Sequence, residues 1–343
     1  MMTAKMKAAG LHQYLPISHP ESIVEEEVNR PEPGERDILV KIKAVSVNPV
    51  DTKVRAPKDG EEKELKVLGW DASGVVEKTG SGVTMFQPGD SVYYAGSISR
   101  PGTNSEYHLV DERIAAAKPD ILTFEEAAAM PLTSLTAWEG LFERLGISRD
   151  QEQNEGKSIL IIGAAGGVGS IALQLAKWAG LTVIGTASRR ETQEWAKEHG
   201  ADETISHYEP LKAQLEAKGY AQPDYIFCLN STDQHWEPMM EAIAPQGRIC
   251  SIVETKTPLD ISLLQQKSIT FVMEFMFTKS LFETVDMESQ HKILTEIGEL
   301  FASRKLKPTL TETIKPFSAE SIRKAHEKAE SGKTIGKVVV SGF

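Results

Sequence analysis

The sequence predicts an α/β protein in which a doubly wound parallel sheet follows a β-barrel-like first domain. A glycine-rich turn at Gly163–Gly169 lies between an apolar β-branched run and a helical pattern. Strands and helices then alternate, as is typical of a parallel sheet. The first 120 residues or so hold short β-type runs broken by Pro and Gly. A chain of 343 residues exceeds the usual single domain, so two domains are expected.

The first domain is predicted from its short strands. These are Asp37–Ser46, Ser73–Lys78, Asp90–Tyr94 and Glu106–Val110. A helical pattern begins after Thr123, which fits an N-cap because Glu126 follows three residues later. The pattern continues after Pro131 to Leu145.

The alternation of strands and helices begins at Ser158. Its predicted strands and helices are the strand from Ser158, the strand Leu181–Thr186, the helix Glu191–His199, the strands Glu203–Ile205 and Tyr225–Leu229, the helix Trp236–Ile243 and the strand Arg248–Val253. Two later β-type segments, Thr309–Phe317 and Gly336–Val340, lack this rhythm. We expect them to return to the first domain.

The glycine-rich turn predicts a dinucleotide site. Small residues let the backbone approach a pyrophosphate, and the N–H groups and dipole of the next helix favour the anion. Ala164 replaces the first glycine of the usual fingerprint, leaving Ala164-x-Gly166-x-x-Gly169. The predicted cofactor-binding residues of this turn are Ala165, Gly166, Gly167, Val168 and Gly169.

The segment after the second strand favours NADP(H). An NAD site would place Asp or Glu at the end of that strand to bind the ribose 2′-hydroxyl. Here Ala187 follows the strand, and Ser188, Arg189 and Arg190 offer a hydroxyl and two guanidiniums for a 2′-phosphate. Alternatively, the two arginines are a solvated pair at the start of a helix, although cations there oppose the helix dipole.

The composition excludes several classes of partner. A net charge of −11 argues against nucleic acid and anionic membranes. No apolar run reaches membrane-spanning length, and the first residues lack the apolar core of a signal peptide, so a cytoplasmic protein is expected. Cys228 and Cys250 lie in apolar runs, which favours small buried side chains over a disulfide.

Several segments together resemble the medium-chain dehydrogenase/reductases, in particular the quinone oxidoreductase-like branch that includes zinc-type alcohol dehydrogenase-like proteins. They are Asn48–Arg55, Gly69–Val92, Leu135–Trp138 and Ala164–Gly169. The resemblance implies a GroES-like barrel at residues 1–125, completed by 305–343, and a Rossmann domain at 126–304. It also implies an active site in the cleft between the domains and a homodimer.

Metal-dependent members of that family use a Cys in the first segment, a His-Glu in the second and a Cys or His before the glycine turn. This chain has Asn48 to Asp51, Trp70-Asp71 and Thr133 to Thr136 at those places. Two cysteines cannot form a four-cysteine structural zinc site, and the eight histidines show no ligand spacing. We therefore predict no metal.

A reductase without a Lewis acid suits acceptors already activated by conjugation, namely quinones and α,β-unsaturated aldehydes or ketones. Negative charge then develops on a carbonyl oxygen and needs a donor. By resemblance the candidate catalytic residues are Asn48, Asp51 and Lys53. Lys53 could donate a hydrogen bond to the oxygen or hold the cofactor, or it could be a solvated lysine. Asn48 and Asp51 are expected to shape the cleft and position the nicotinamide rather than to transfer protons. Asp51 could instead form an Asx turn or cap a helix after Pro49.

Other cofactor contacts are implied by the same resemblance: Thr136, His207, Asn230, Ser251, Ile252 and Val253. The sequence as a whole predicts an NADPH-dependent oxidoreductase that reduces a quinone or α,β-unsaturated carbonyl without a metal. A zinc-dependent alcohol dehydrogenase and a non-catalytic NADPH-binding protein are the alternatives.

Overall fold

The structure, a computed structural model, describes residues 4–343, which contain sixteen strands and ten α-helices. The strands are β1 Lys5–Gln13, β2 Val24–Asn29, β3 Asp37–Ser46, β4 Glu61–Val67, β5 Ala72–Thr79, β6 Ser91–Tyr94, β7 Tyr107–Asp111, β8 Ala115–Ala117, β9 Ser158–Ile162, β10 Thr182–Thr186, β11 Glu203–Ile205, β12 Tyr225–Cys228, β13 Arg248–Ser251, β14 Thr270–Met273, β15 Leu310–Ile314 and β16 Lys337–Ser341. The helices are α1 Pro49–Arg55, α2 Phe124–Ala128, α3 Pro131–Trp138, α4 Gly167–Trp178, α5 Arg190–Glu198, α6 Leu211–Ala217, α7 Thr232–Ala242, α8 Thr278–Leu281, α9 Ser289–Ala302 and α10 Ala319–Glu330.

The chain folds into two compact units, and the first of them is rich in antiparallel sheet. It comprises the chain through Leu132, together with Phe277–Arg304 and Pro308–Phe343. A three-stranded sheet has the order β2-β1-β4, and a seven-stranded sheet has the order β15-β16-β3-β5-β6-β8, with β7 paired to β3. Buried aliphatic residues of β3, β5 and β16 form its core. The last strand, β16, pairs with β3, which brings the C-terminal segment into this unit.

The second unit is a doubly wound parallel sheet, as predicted. It comprises Thr133–Met276 with Lys305–Lys307. The strand order is β11-β10-β9-β12-β13-β14, and every neighbouring pair is parallel. From β9 the chain adds β10 and β11 on one side of the sheet and then β12 to β14 on the other, so the strand order reverses between β9 and β12. Ligands bind such sheets at that reversal, outside the carboxyl ends of the strands. Cofactor chemistry is therefore expected at the carboxyl ends of β9, β10 and β12.

The division into units differs from the predicted domains in three segments. Residues 126–132 group with the first unit and residues 305–307 with the second. The longest segment, residues 277–304, was expected in the Rossmann domain but groups with the first unit. The reason is packing: α9 lies against β8, Tyr93 donates a hydrogen bond to the Leu294 carbonyl, and His291 hydrogen-bonds the Ala115 carbonyl. The functional boundaries at residues 125 and 304 stay a prediction.

Two helices differ from the prediction, one in its type and one in where it begins. The helix after Pro131 continues from Trp138 as a π-helical turn over Glu139–Arg144. The helix expected near Trp236 begins earlier, at Thr232. No helix within residues 4–343 is long and apolar enough to span a lipid bilayer.

Candidate functional site

The glycine-rich turn connects β9 to α4, with Gly166 as the N-cap of the helix. Gly163 has a φ of +88°, a conformation that favours glycine. A side chain at Gly169 would place its Cβ 2.4 Å from the Gly163 carbonyl oxygen and 2.5 Å from that of Ala164. Only glycine therefore lets the first turn of α4 pack so closely against the strand end.

This turn has the features of a phosphate-binding loop. All five predicted residues lie in the turn or the first turn of α4. The N–H groups of a helix's first turn have no partner within the helix, and its dipole adds positive potential. The first turn of α4 can thus bind an anion at the carboxyl end of β9.

The carboxyl ends of β10 and β11 bring two predicted residues together. The Ser188 Oγ lies 3.2 Å from Nδ1 and 3.3 Å from Nε2 of His207. The side chain of Arg189 is 43% exposed, and a terminal nitrogen of its guanidinium lies 3.3 Å from a carboxylate oxygen of Glu191. The structure therefore places a hydroxyl and an imidazole together at one edge of the sheet, while the guanidinium of the next residue, Arg189, pairs with Glu191.

Arg190 behaves differently from Arg189. Its Nε donates to Glu194, one turn further along α5, at 2.8 Å. The Arg190 side chain is 89% exposed. This is an ordinary i,i+4 helix pair, as the alternative interpretation of the two arginines expected. The predicted contact of Arg190 with a 2′-phosphate stays a prediction.

The carboxyl ends of β12 and β13 hold the other predicted cofactor residues of the sheet. Asn230 follows β12, and Ser231 after it has a φ of +48°. The Ser251 hydroxyl is buried and lies 2.5 Å from the Thr232 hydroxyl, which also donates to the Val253 carbonyl at 2.7 Å. Since these hydroxyls bond each other, the segment Ser251–Val253 offers a ligand mainly backbone groups.

Thr136 is a predicted cofactor residue outside the sheet. It lies on α3 and is only 5% exposed. Its predicted contact with the nicotinamide ribose stays a prediction.

Two of the three candidate catalytic residues are buried in the first unit. Asn48 precedes α1, and Asp51 lies in its first turn and accepts a hydrogen bond from the Asn48 backbone N–H at 2.5 Å. The Asp51 side chain is fully buried. This is the helix-capping geometry that the sequence analysis left open as an alternative for Asp51.

A buried lysine that the sequence analysis missed completes this cluster. The Lys337 ammonium donates to the Asn48 side-chain oxygen and to the Val47 carbonyl, and lies 3.4 Å from a carboxylate oxygen of Asp71. Asp71 also accepts from the Asn48 amide at 3.1 Å and from the Leu132 N–H at 3.1 Å. We call Asn48, Asp51, Asp71 and Lys337 the buried polar cluster.

The buried polar cluster has unusual protonation equilibria. Burial raises the pKa of Asp51 to about 7 and that of Asp71 to about 6, while the nearby Lys337 ammonium lowers both. Burial likewise lowers the pKa of Lys337, and the two carboxylates oppose that effect. Two carboxyl groups and one ammonium in a dry interior favour keeping a proton on one carboxyl near neutral pH.

Lys53 is exposed, unlike the other two candidates. It lies on α1 and, with Thr52 and Arg55, lines an open cavity of about 400 Å³. Arg55, also in the wall, is buried and paired with Glu330. Lys53 is therefore open to a ligand from solvent, whereas Asn48 and Asp51 are buried, and the catalytic role of all three stays a prediction.

The places that hold zinc ligands in metal-dependent relatives do not fit the metal here. Asn48 offers an amide, and the Asp71 carboxylate already binds the Asn48 amide and lies beside the Lys337 ammonium. Among residues 4–343, no group of three His, Cys, Asp or Glu side chains is arranged to hold a metal ion. The first two of these places thus hold an amide and carboxylates, and the third, Thr133 to Thr136, holds no Cys or His.

Comparison with family models finds two matches. Residues 34–120 match the alcohol dehydrogenase GroES-like domain. Residues 199–340 match the zinc-binding dehydrogenase family. The matches cover parts of both compact units.

Among curated proteins, a zinc-type alcohol dehydrogenase-like protein of Staphylococcus epidermidis is 43% identical, covering 98% of this chain and 99% of the relative. A 2-methylene-furan-3-one reductase of Solanum lycopersicum is 32% identical, covering 92% of this chain and 74% of the relative. A quinone oxidoreductase of Pseudomonas aeruginosa is 30% identical, covering 96% and 98%.

Among solved structures, a protein of Rhizobium etli provisionally described as a zinc-dependent alcohol dehydrogenase superposes with a TM-score of 0.94 at 46% identity, covering 100% of this chain and 99% of the other. The Escherichia coli quinone oxidoreductase complexed with NADPH gives a TM-score of 0.79 at 26% identity, covering 98% and 99%. An NAD-dependent alcohol dehydrogenase gives 0.81 at 29% identity, covering 98% and 99%.

Proposed function

Because this chain belongs to the medium-chain dehydrogenase/reductase superfamily, in its quinone oxidoreductase-like branch, we propose that it transfers a hydride from NADPH to a quinone or α,β-unsaturated carbonyl without a metal. It is an oxidoreductase of that superfamily, with a GroES-like domain and a Rossmann-type sheet. What we propose is its cofactor, NADPH, its class of acceptor and its independence of a metal.

The observation that carries the proposal is the edge formed by Ser188, Arg189 and His207. Ala187, rather than an acidic residue, stands directly after β10 where an NAD site would place a carboxylate, and the Ser188 hydroxyl lies beside the His207 ring. Guanidinium and hydroxyl groups bind phosphate well. The NADPH-bound relative supports this choice, whereas the NAD-dependent relative shows that the family uses both cofactors.

The buried polar cluster supports a mechanism without zinc. The Asn48 amide, the Asp71 carboxylate and the Lys337 ammonium bind one another, so these three groups provide fixed structure rather than open metal positions. Two relatives named for reduction of a quinone and of a 2-methylene-furan-3-one support conjugated acceptors. Conjugation makes the acceptor carbon electrophilic without a Lewis acid.

NADPH, when bound, supplies the hydride. The chain's own residues then have three tasks. The first turn of α4 would hold the pyrophosphate, and Ser188 with Arg189 would hold the 2′-phosphate. The hydride adds to the conjugated acceptor, and the acceptor's π electron pair moves onto its carbonyl oxygen. Lys53 donates a hydrogen bond to that oxygen, and a proton from solvent completes the reduced product.

The test is NADPH oxidation by the purified protein with quinones, enals, simple ketones and alcohols. The proposal expects turnover with the conjugated acceptors and none with simple ketones. Lys53→Met keeps the aliphatic stem and removes the charge, so turnover should fall by roughly a hundred- to a thousandfold with NADPH affinity unchanged. Lys58→Met, at a neighbouring lysine that lies over the Tyr14 ring, is the matched control and should retain turnover.

Three results would contradict parts of this proposal. NADPH binding without turnover of any acceptor would favour a non-catalytic role. Activity lost on chelation and restored by zinc would favour a zinc alcohol dehydrogenase. Full activity in Lys53→Met would show that Lys53 is a solvated lysine without a role in turnover.

We also propose that the protein is a homodimer, which light scattering of the purified protein would test.

A further inference from the structure

His207 has a setting that an ordinary surface histidine lacks. It follows β11, and its ring lies within 3.3 Å of the Ser188 hydroxyl at the carboxyl end of the neighbouring strand β10. It is half-buried and packs against Tyr208, with ring centroids 4.2 Å apart. The imidazole therefore borders the edge to which the 2′-phosphate is assigned.

A second histidine packs against the first. His235 lies on α7 and is only 3% exposed. Its ring meets that of His207 nearly edge to face, with centroids 6.4 Å apart and an interplanar angle of 87°. Two imidazolium ions at this distance in a partly dry environment repel each other, so the pair accepts one proton far more readily than two.

The uncharged forms of both rings are favoured when no ligand is bound. Burial lowers the pKa of His207. Burial, and then the charge of a protonated His207, lower the pKa of His235. Besides His235, the titratable group that contacts His207 is Tyr208, and the charged residues beside these contacts in sequence are Arg189 and Glu209.

We propose that His207 binds the cofactor's 2′-phosphate as an imidazolium, taking up a proton on binding, so that affinity for phosphorylated cofactor rises as the pH falls from 8 to 6.5. This inference rests on the NADPH specificity proposed above. A phosphate dianion within hydrogen-bond reach favours the charged imidazole. By linkage, uptake of one proton changes the affinity by up to about tenfold per pH unit.

Arginine alone would not give this behaviour, because a guanidinium side chain is charged at every pH tested and its contribution is constant. A histidine that borders the phosphate adds a contribution that varies with pH near neutrality. The 2′-phosphate itself has a second pKa of about 6, so it is mainly a dianion over the range tested.

The experiment is titration calorimetry of the purified full-length protein with adenosine 2′,5′-bisphosphate at pH 6.5 and 8, in two buffers of different ionisation heat. Adenosine 5′-monophosphate is the reference ligand because it lacks only the 2′-phosphate. The bisphosphate should bind about five- to twentyfold more tightly at pH 6.5 and take up to one proton per site. The reference ligand should show neither effect.

Three variants separate the titrating charge from the fold. His207→Gln keeps a hydrogen-bonding side chain and should bind the bisphosphate with equal affinity at both pH values, without proton uptake. His207→Lys supplies a permanent charge and should bind tightly at both. His19→Gln, at an exposed histidine of the first unit, should behave as the unaltered protein does. Circular dichroism checks that each variant is folded.

The inference is overturned if the protein prefers the bisphosphate equally at both pH values and its binding neither takes up nor releases a proton. That result would leave the proposed NADPH specificity intact. Equal affinity for both ligands at every pH would overturn the NADPH specificity and this inference with it.

Discussion

Replacing Lys337 with methionine tests whether the buried polar cluster is held together by its ammonium. The change removes the donor to the Asn48 side chain and the Val47 carbonyl, and leaves the fully buried Asp71 carboxylate without its cation. Breaking a buried ion pair by deleting one partner costs about 3–5 kcal/mol. That is a large share of a total stability of about 5–15 kcal/mol.

The loss should depend on pH, and its sign follows from the direction of the pKa shifts. Burial raises the pKa of Asp71 to about 6 in the folded protein. A carboxyl with a raised folded pKa contributes stability that is present below its unfolded pKa and is lost as the pH rises through the folded one. Without Lys337 the folded pKa rises further, so Lys337→Met should lose more stability at pH 8 than at pH 5.5, by up to about 1.4 kcal/mol per pH unit.

The assay is urea unfolding at both pH values, together with native-state hydrogen exchange of peptides that cover β3 and β16. The double variant Lys337→Met/Asp71→Asn removes the charge left behind and should recover part of the loss. Lys324→Met, at an exposed lysine paired with Glu320, is the control and should change stability by less than about 1 kcal/mol. Equal loss at pH 5.5 and 8, or no loss, would refute the argument that this ammonium neutralises buried carboxylates.

Three further changes test other parts of the account. Arg189→Ala removes one charge-assisted hydrogen bond of roughly 1.5–3 kcal/mol, so calorimetry should show NADPH affinity about ten- to a hundredfold weaker with NADH affinity unchanged. Gly169→Ala forces a Cβ to within 2.4 Å of the Gly163 carbonyl oxygen, so thermal unfolding should show a loss of about 1–3 kcal/mol or more, and cofactor binding should weaken. Asp51→Asn removes a carboxyl with a raised pKa, so the variant should lose less stability than the unaltered protein as the pH rises from 5 to 8 in urea titrations.

The parts of the fold that sequence could predict are those set by local patterns. The sequence predicted the capping box at Thr123 because Glu126 follows at the required spacing. The structure shows the corresponding hydrogen bond from the Glu126 N–H to the Thr123 hydroxyl. The alternation of strands and helices after Ser158 predicted the parallel sheet in the same way.

The parts that sequence could not predict depend on distant partners. Lys337 is the first residue of the apolar strand β16, where a lysine is usually solvated, and its partner Asn48 is 289 residues away in the chain. The segment 277–304 joined the first unit because of packing on β8, which no local pattern shows. Arg190 is different, since the i,i+4 spacing to Glu194 was present in the sequence and could have identified its pairing.

The measurement that tests the central claim most directly is the rate of NADPH and of NADH oxidation by metal-analysed, chelator-treated protein in the presence of a quinone and of an enone. We predict that turnover with NADPH continues without zinc, with one acceptor molecule reduced per NADPH consumed, and that turnover with NADH is much slower. Turnover that needs added zinc, or that proceeds equally well with NADH, would contradict it.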